Sequence, residues 1–330
     1  MVKGEEDFMI VVTGGAGFIG SNIVRGLNRT GYTDILIVDD LSKGEKCRNL
    51  NALRFSDYVD KDFFLNHADR FLSRKTEAVI HQGACTDTME HDGLKMMALN
   101  YEYTKTLFEK AMKKKIRFIY ASSASVYGNG AHGFSEDPRN ENPLNVYAFS
   151  KYLFDAYLRK NRAHCPVQTA GLRYFNVYGQ QENHKGRMAS TVYHFYHQLK
   201  ETGEARLFEG SDKFLRDFIY VDDVVEVNLF LLDHPEISGI YNCGTGKAES
   251  FTLIARTLTE LMGQGKLKTV PFPEELRGKY QSFTQAETIA LRKAGYTRPF
   301  TELKEGVSLY YEYLDKHEGF FPYEVREEEL

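Results

Sequence analysis

Tyr147-Ala148-Phe149-Ser150-Lys151 places a phenol and an amine four residues apart, a spacing that puts both on one face of a helix. Such a pair suits acid–base work: a lysine ammonium stabilises the tyrosinate beside it, and the phenol can then exchange a proton with an alcohol. Ser123, 24 residues earlier in Ala121-Ser122-Ser123-Ala124-Ser125-Val126-Tyr127-Gly128, can hydrogen-bond the same alcohol oxygen. In a chain with 21 tyrosines the spacing alone is commonplace, and an ordinary amphipathic helix would produce it. Its meaning depends on what stands with it.

What stands with it is a place for a hydride carrier. Thr13-Gly14-Gly15-Ala16-Gly17-Phe18-Ile19-Gly20 follows an apolar run directly and opens a helical pattern. Gly14 permits the tight turn, Gly17 lets backbone approach a pyrophosphate, and Gly20 lets helix and strand pack closely, with the helix N-terminus aimed at the phosphates. Asp39 follows at the end of the next apolar run, where an acid accepts from the adenosine ribose hydroxyls. The bland alternative is a connector turn with Asp39 capping a loop. Asp39 alone favours NAD, whereas Lys43, Lys46 and Arg48 could neutralise the 2′-phosphate of NADP, and the residues leave that choice open.

These groups need a scaffold, and the first half of the chain reads as one. Apolar runs at 8–12, 35–38, 78–80 and 118–120 predict strands, and patterns at 17–29, 61–74 and 95–112 predict helices between them. Alternation of this kind predicts an α/β fold: a Rossmann doubly wound parallel sheet with its ligand crevice at the carboxyl ends of the strands. After about Arg173 the elements shorten, with helices near 188–202 and 250–262 and a strand near 217–220, which predicts a smaller mixed α/β substrate-binding domain. The expected boundaries are 8–173 for the dinucleotide domain, with a strand and a helix returning from the C-terminal half, and 174–320 for the second domain.

Composition excludes other classes. A formal charge of −4 gives no general affinity for nucleic acid or anionic membrane, and Lys113-Lys114-Lys115 reads as a solvated helix end. Cys47, Cys85, Cys165 and Cys243 form no C-x-x-C pair, so neither a metal site nor a disulfide framework is expected. Residues 1–7 carry mixed charge, no apolar run approaches the ~18 residues of a membrane span, and a soluble, cytoplasmic protein is expected. The acidic end from Glu324 to Leu330 reads as a frayed tail.

The glycine fingerprint, the strand-end serines and Tyr147 with Lys151 together resemble the extended short-chain dehydrogenase/reductases. The second half narrows this. Arg173-Tyr174-Phe175-Asn176-Val177-Tyr178-Gly179, His184-Lys185-Gly186-Arg187-Met188-Ala189-Ser190, Leu207-Phe208-Glu209-Gly210-Ser211 and Arg216-Asp217-Phe218 are similar to segments of ADP-L-glycero-D-manno-heptose 6-epimerases. So are Gln82-Gly83-Ala84-Cys85-Thr86 and the stretch from Lys279 to Ala286, and the similarity runs from about Phe8 to Tyr313.

The resemblance implies roles. Phe18, Ile19, Asp39, Asp40, Lys46 and Lys61 would contact the cofactor, as would Gln82, Gly83, Ala84, Cys85, Thr86, Asn100, Tyr147, Lys151 and Val177; in this family the cofactor is preferentially NADP. Asn176, Lys185, His194, Phe208, Glu209, Gly210, Ser211, Arg216 and Tyr280, with Ser123, would line the ADP-heptose pocket. Taken alone, Lys185 is a solvated loop charge; in the family a lysine here is a second acid/base. It permits oxidation at the sixth carbon, rotation of the ketone and return of the hydride to the other face, supplying heptose for the lipopolysaccharide inner core. Homo-oligomers, pentamers among them, are also implied.

Two positions depart from the pattern. Arg187 stands where the family often has serine, and Asp40 where it often has asparagine; an anion there would disfavour a 2′-phosphate by about 1 kcal/mol. NADP remains the expected cofactor, with NAD open. A 4,6-dehydratase would need an Asp-Glu pair where Ala124 and Ser125 stand. A UDP-sugar 4-epimerase shares Ser, Tyr and Lys but gives no reason for His184-Lys185-Gly186, and a non-catalytic nucleotide-sensing scaffold would typically have lost the tyrosine or lysine.

Overall fold

The computed structural model describes residues 8–273 and 281–322. Tyr280 and the acidic tail lie outside the described residues. Twelve strands are present among them: β1 (Met9–Thr13), β2 (Ile35–Asp39), β3 (Asp57–Asp60), β4 (Thr76–His81), β5 (Arg117–Ser123), β6 (Thr169–Tyr174), β7 (Asn176–Tyr178), β8 (Glu204–Phe208), β9 (Leu215–Tyr220), β10 (Gly239–Cys243), β11 (Ala248–Ser250) and β12 (Lys266–Val270).

Seven of them form one sheet in the order β10-β6-β5-β4-β1-β2-β3. The pairs β1–β2, β2–β3, β1–β4 and β4–β5 are parallel. Every residue of β2 is buried, as expected of a parallel strand covered on both faces. Strand order reverses between β1 and β4, so a crevice opens beyond their carboxyl ends, at Thr13 and His81. The core of this region packs Val11, Val38, Val79 and Phe118 from the sheet against Leu107, Phe108 and Ala111 of helix Tyr103–Lys113 and against Phe154 and Leu158 of helix Val146–Asn161.

Four details differ from the expected elements. The helix expected at 61–74 is two short ones, Lys61–Asn66 and Ala68–Phe71, broken at His67 with φ −118°. The helix expected at 95–112 begins at Gly93, passes through a wide turn at Ala98–Glu102, and continues from Tyr103 to Lys113. Strand β3 buries only Val59, so as an edge strand it has no apolar run to announce it. Strand β6 is buried throughout although Thr169 and Arg173 interrupt its apolar character.

The chain divides into two compact units. Of the described residues, the first comprises 8–122, 145–172 and 225–240, and the second 123–144, 173–224, 241–273 and 281–322. In the second unit β9 lies between β7, parallel to it, and β11, antiparallel to it, while β12 and β8 form a separate parallel pair. Helices Thr191–Thr202, Phe251–Met262 and Leu303–His317 pack together there. Among the described residues no helix is long and apolar enough to cross a membrane.

Candidate active site

The glycine loop of the first unit is shaped by contacts that only glycine allows. Gly14 has φ +68°, and a Cβ on it would lie 2.6 Å from the Gly83 nitrogen, so the loops after β1 and β4 close on each other. A Cβ on Gly20 would drive into the Gly14 carbonyl. A Cβ on Gly17 would touch only that carbonyl, at 3.1 Å, and otherwise face open space. Gly17 caps helix Phe18–Arg29 with no side chain and no acid occupies the first turn, so the leading N–H groups near Phe18 and Ile19 suit a phosphate oxygen. This cradle fits a dinucleotide pyrophosphate.

Asp39 does more structural work than the sequence suggests. Its Oδ2 accepts from the Ala16 N–H at 2.8 Å and its Oδ1 from the Asp40 N–H at 2.6 Å and the Lys46 ammonium. The acid therefore braces the glycine loop. Lys46 also donates to the Asp40 carbonyl at 2.6 Å, and Lys61 lies 3.4 Å from Asp40 Oδ2. Hydrogen bonds from Ser42, opposed by burial and helped by the Lys61 charge, hold the Asp40 carboxyl down at about 2. Lys61 also pairs with Asp62, at 2.8 Å.

Asn100 reaches the next loop from the wide turn. It donates to the Cys85 carbonyl at 3.0 Å and accepts from the Cys85 N–H at 2.8 Å, fixing the 82–86 segment by its backbone. The same amide donates to Ser150 Oγ at 3.2 Å, and Ser150 donates to the Tyr147 carbonyl at 2.7 Å. Gln82, Gly83, Ala84 and Cys85 are half-buried and Thr86 is exposed.

Tyr147 and Lys151 stand in helix Val146–Asn161, capped by Asn145, whose side chain accepts from the Ala148 N–H at 2.8 Å. Tyr147 is half-buried; Lys151 is 5% exposed and donates to the Ala121 carbonyl at 2.9 Å. Burial lowers the Lys151 pKa to about 8, with Asp155 opposing. Asp155 is fully buried and accepts from the Tyr120 and Ser122 hydroxyls, both at 2.9 Å. Alternation along β5 thus sends Ser122 inward to this carboxylate. Asp155 was not anticipated, yet Tyr147, Lys151 and Asp155 recur every four residues, a stripe that the sequence does show.

The second unit holds the remaining expected residues. Ser123, at the end of β5, accepts from the Ser125 N–H at 3.2 Å and hydroxyl at 2.9 Å. Asn176 is exposed and Val177 half-buried on β7, in register with Phe218 and Ile219 of β9. Phe208, Glu209, Gly210 and Ser211 form the turn after β8, with Gly210 at φ +79° and the Phe208 ring 5.6 Å from Phe272. Arg216 is largely buried, donates to the carbonyls of Leu215 and Gln281, and lies 5.7 Å over the Phe251 ring. Lys185 sits 3.3 Å from Glu182, and His194 Nε2 lies 3.3 Å from the Arg187 carbonyl. Lys185 is thus part-buried and paired where the sequence alone reads a solvated charge.

Two further acids were missed. Asp217, fully buried, accepts from the Thr245 N–H and hydroxyl, both at 2.7 Å, and from Gly246 and Ala286 N–H groups at 2.9 Å, tying three chain segments beside Arg216. Burial raises its pKa, with those hydrogen bonds opposing. Glu141 pairs with the wholly buried Arg173, whose guanidinium also lies 4.9 Å over the Tyr127 ring and donates to its hydroxyl at 2.9 Å. Neither acid has a spacing that marks it in sequence.

Comparison with known proteins agrees with this geometry. The family model of the NAD dependent epimerase/dehydratase family matches residues 10–244. An ADP-L-glycero-D-manno-heptose-6-epimerase of Brachyspira hyodysenteriae is 57% identical over 316 residues, covering 94% of this chain and 99% of the relative. Another protein of that name, from Alkalilimnicola ehrlichii, is 52% identical over 92% of this chain and 96% of its own length. The crystal structure of the Helicobacter pylori ADP-L-glycero-D-manno-heptose-6-epimerase superposes with a TM-score of 0.81 at 29% identity, over 94% of this chain and 97% of that one. With its fingerprint loop, its Tyr147–Lys151 helix and this match along nearly its whole length, the chain belongs to the NAD dependent epimerase/dehydratase family, beside the ADP-L-glycero-D-manno-heptose-6-epimerases.

Proposed function

We propose that the protein inverts the sixth carbon of ADP-D-glycero-D-manno-heptose to give ADP-L-glycero-D-manno-heptose with a bound nicotinamide dinucleotide. The observation that carries this is the 57% identity to a heptose epimerase across 94% of the chain, with the Tyr147–Lys151 pair in place on its helix. When bound, the nicotinamide supplies the acceptor and donor of the hydride. Tyr147 exchanges the proton of the sixth-carbon hydroxyl, Lys151 stabilises the tyrosinate, and Ser123 hydrogen-bonds the same oxygen. Once the ketone has turned about its bond to the fifth carbon, Lys185 gives a proton to the oxygen in the inverted arrangement. Arg216 and the Phe208–Ser211 turn hold the ADP moiety, since guanidinium and backbone N–H groups favour phosphate oxygens.

Incubation with ADP-D-glycero-D-manno-heptose, read by NMR at the sixth carbon, tests the reading. Inversion there is expected; inversion of a hexose fourth carbon in a uridine sugar instead overturns it. In heavy water the product should carry no deuterium at the inverted carbon, because that hydrogen travels as hydride.

The finer assignments are NADP as cofactor, a homo-oligomer of the pentameric kind, and a cytoplasmic setting. What supports NADP is the set of cations at this edge: Lys46 on Asp39, Lys61 between Asp40 at 3.4 Å and Asp62 at 2.8 Å, and exposed Lys43. Calorimetric titration should show NADP binding more tightly than NAD, and Lys61→Ala should weaken NADP about tenfold while changing NAD little. Tighter binding of NAD by the unaltered protein contradicts the assignment.

A further inference from the structure

The turn that carries Lys185 rests on an unusual support. The segment Gly179-Gln180-Gln181-Glu182 is buried although three of its residues are polar. Gln181 adopts φ +74°, a left-handed conformation unfavourable for a residue with a side chain. It is held there by its N–H on the Gly319 carbonyl at 2.8 Å and by its Oε1, which accepts from the Phe321 N–H at 3.3 Å. Gln180 is fixed in turn, donating to Asp222 at 2.8 Å and accepting from the Tyr220 hydroxyl at 2.9 Å.

What this bracing delivers is the Glu182 side chain, fully buried. Its carboxylate accepts from the Ser190 N–H at 2.7 Å and from the Ser190 hydroxyl, and lies 3.3 Å from Lys185 Nζ. Tyr310, wholly buried, faces the same carboxylate, and burial, then the Glu182 charge, pushes its pKa well up. The Ser190 N–H and hydroxyl sit on opposite carboxylate oxygens, so a neutral amide could keep both contacts only with the hydroxyl turned from donor to acceptor. A buried carboxylate is costly unless a cation answers it, and the cation here is Lys185.

We infer that Glu182 is a positioning residue for Lys185, fixing its ammonium in the place from which the sugar oxygen takes a proton. The inference rests on the proposed role of Lys185 as second acid/base. The step is a single proton transfer: an N–H bond of Lys185 breaks, an O–H bond forms on the sugar, and a neutral amine remains beside an unchanged carboxylate. Other groups of this neighbourhood are His184 and Arg187 on the same turn, Tyr193 and His194 on helix Thr191–Thr202, Tyr220 on β9, and Tyr310 on the C-terminal helix.

Glu182→Gln in the intact enzyme should lower kcat by about 10- to 100-fold with KM and cofactor binding little changed. It should also speed acylation of Lys185 by an amine-reactive ester at pH 7.5 by about tenfold, read by mass spectrometry, while surface lysines react as before. In a Lys185→Met background the same substitution should cost nothing more. If Glu182→Gln does not fold, Glu182→Asp carries the test, with intermediate effects expected on both readouts. Unchanged kcat and unchanged Lys185 reactivity in a folded variant overturn the inference, as does an equal loss of activity in the Lys185→Met background. Full turnover by Lys185→Met alone sinks the underlying role of Lys185 instead.

Discussion

Lys151, with its head group on the Ala121 carbonyl and almost none of its surface in water, is a different reagent from a lysine in solution. Burial brings its pKa to about 8, so the ammonium proposed to stabilise the Tyr147 phenolate is lost as pH rises through that value. Turnover is therefore expected to fall above pH 8. Asp155 works the other way, and Asp155→Asn should move that fall to lower pH; a profile unchanged in the folded variant speaks against the coupling. Stability follows a separate sign: between about pH 8 and the ordinary lysine value the unfolded chain binds the extra proton, so this group makes folding more favourable as pH rises. Tyr147→Phe should cut turnover by about 10²- to 10⁴-fold and leave the dinucleotide bound, which stopped-flow rates and calorimetry together would check. At this scale the glycines, Tyr147 and Lys151 stand out in the sequence because the proposed chemistry depends on their spacing. Nothing in the sequence assigns Glu182 or Asp217 a role, because both are distinguished by burial, and burial of a single acid has no periodic signature.

Between elements, the site is held by a line of buried polar contacts. Thr13 at the end of β1 meets His81 Nδ1 at 2.6 Å, His81 Nε2 meets Thr104 at 2.8 Å, and Thr104 donates to the Asn100 carbonyl at 2.7 Å. Burial, then the Lys151 charge, pushes the His81 pKa down to about 3. The unfolded chain takes up this proton first as pH falls, so the stability contributed above pH 6.5 is lost progressively between 6.5 and about 3. Thermal unfolding across that range should show a decline that His81→Gln makes shallower; an equal slope in both proteins rejects the link. Gly20→Ala should lower the unfolding temperature and abolish dinucleotide binding together, since a Cβ there collides with the Gly14 carbonyl and overpacking costs about 1–3 kcal/mol. The helix starting at Phe18 and strands β1, β2, β4 and β5 were legible from their apolar runs. The break at His67 and the wide turn at Ala98–Glu102 were not, because a helix keeps its apolar stripe across one irregular turn.

For the molecule as a whole, sequence alternation sufficed for the doubly wound order but not for the path the chain takes through its two units. The excursion at 123–144 begins within the serine-rich stretch after β5 and carries no Gly-, Pro- or charge-rich linker at its start. If a dinucleotide binds the folded enzyme alone, saturation at 100 times its Kd should stabilise it by about 2.7 kcal/mol, measurable as a rise in the unfolding midpoint, and a midpoint insensitive to NADP and NAD alike contradicts the proposed cofactor site. The path itself has a consequence for biogenesis. Strand β6 is synthesised long before β10, its neighbour at the sheet margin, so on the ribosome its outer rim of amide and carbonyl groups stays unmatched while some sixty intervening residues emerge. The nascent chain is thus most prone to adhere to other strands in that interval, and a gene cut after residue 174 would leave the same rim permanently bare.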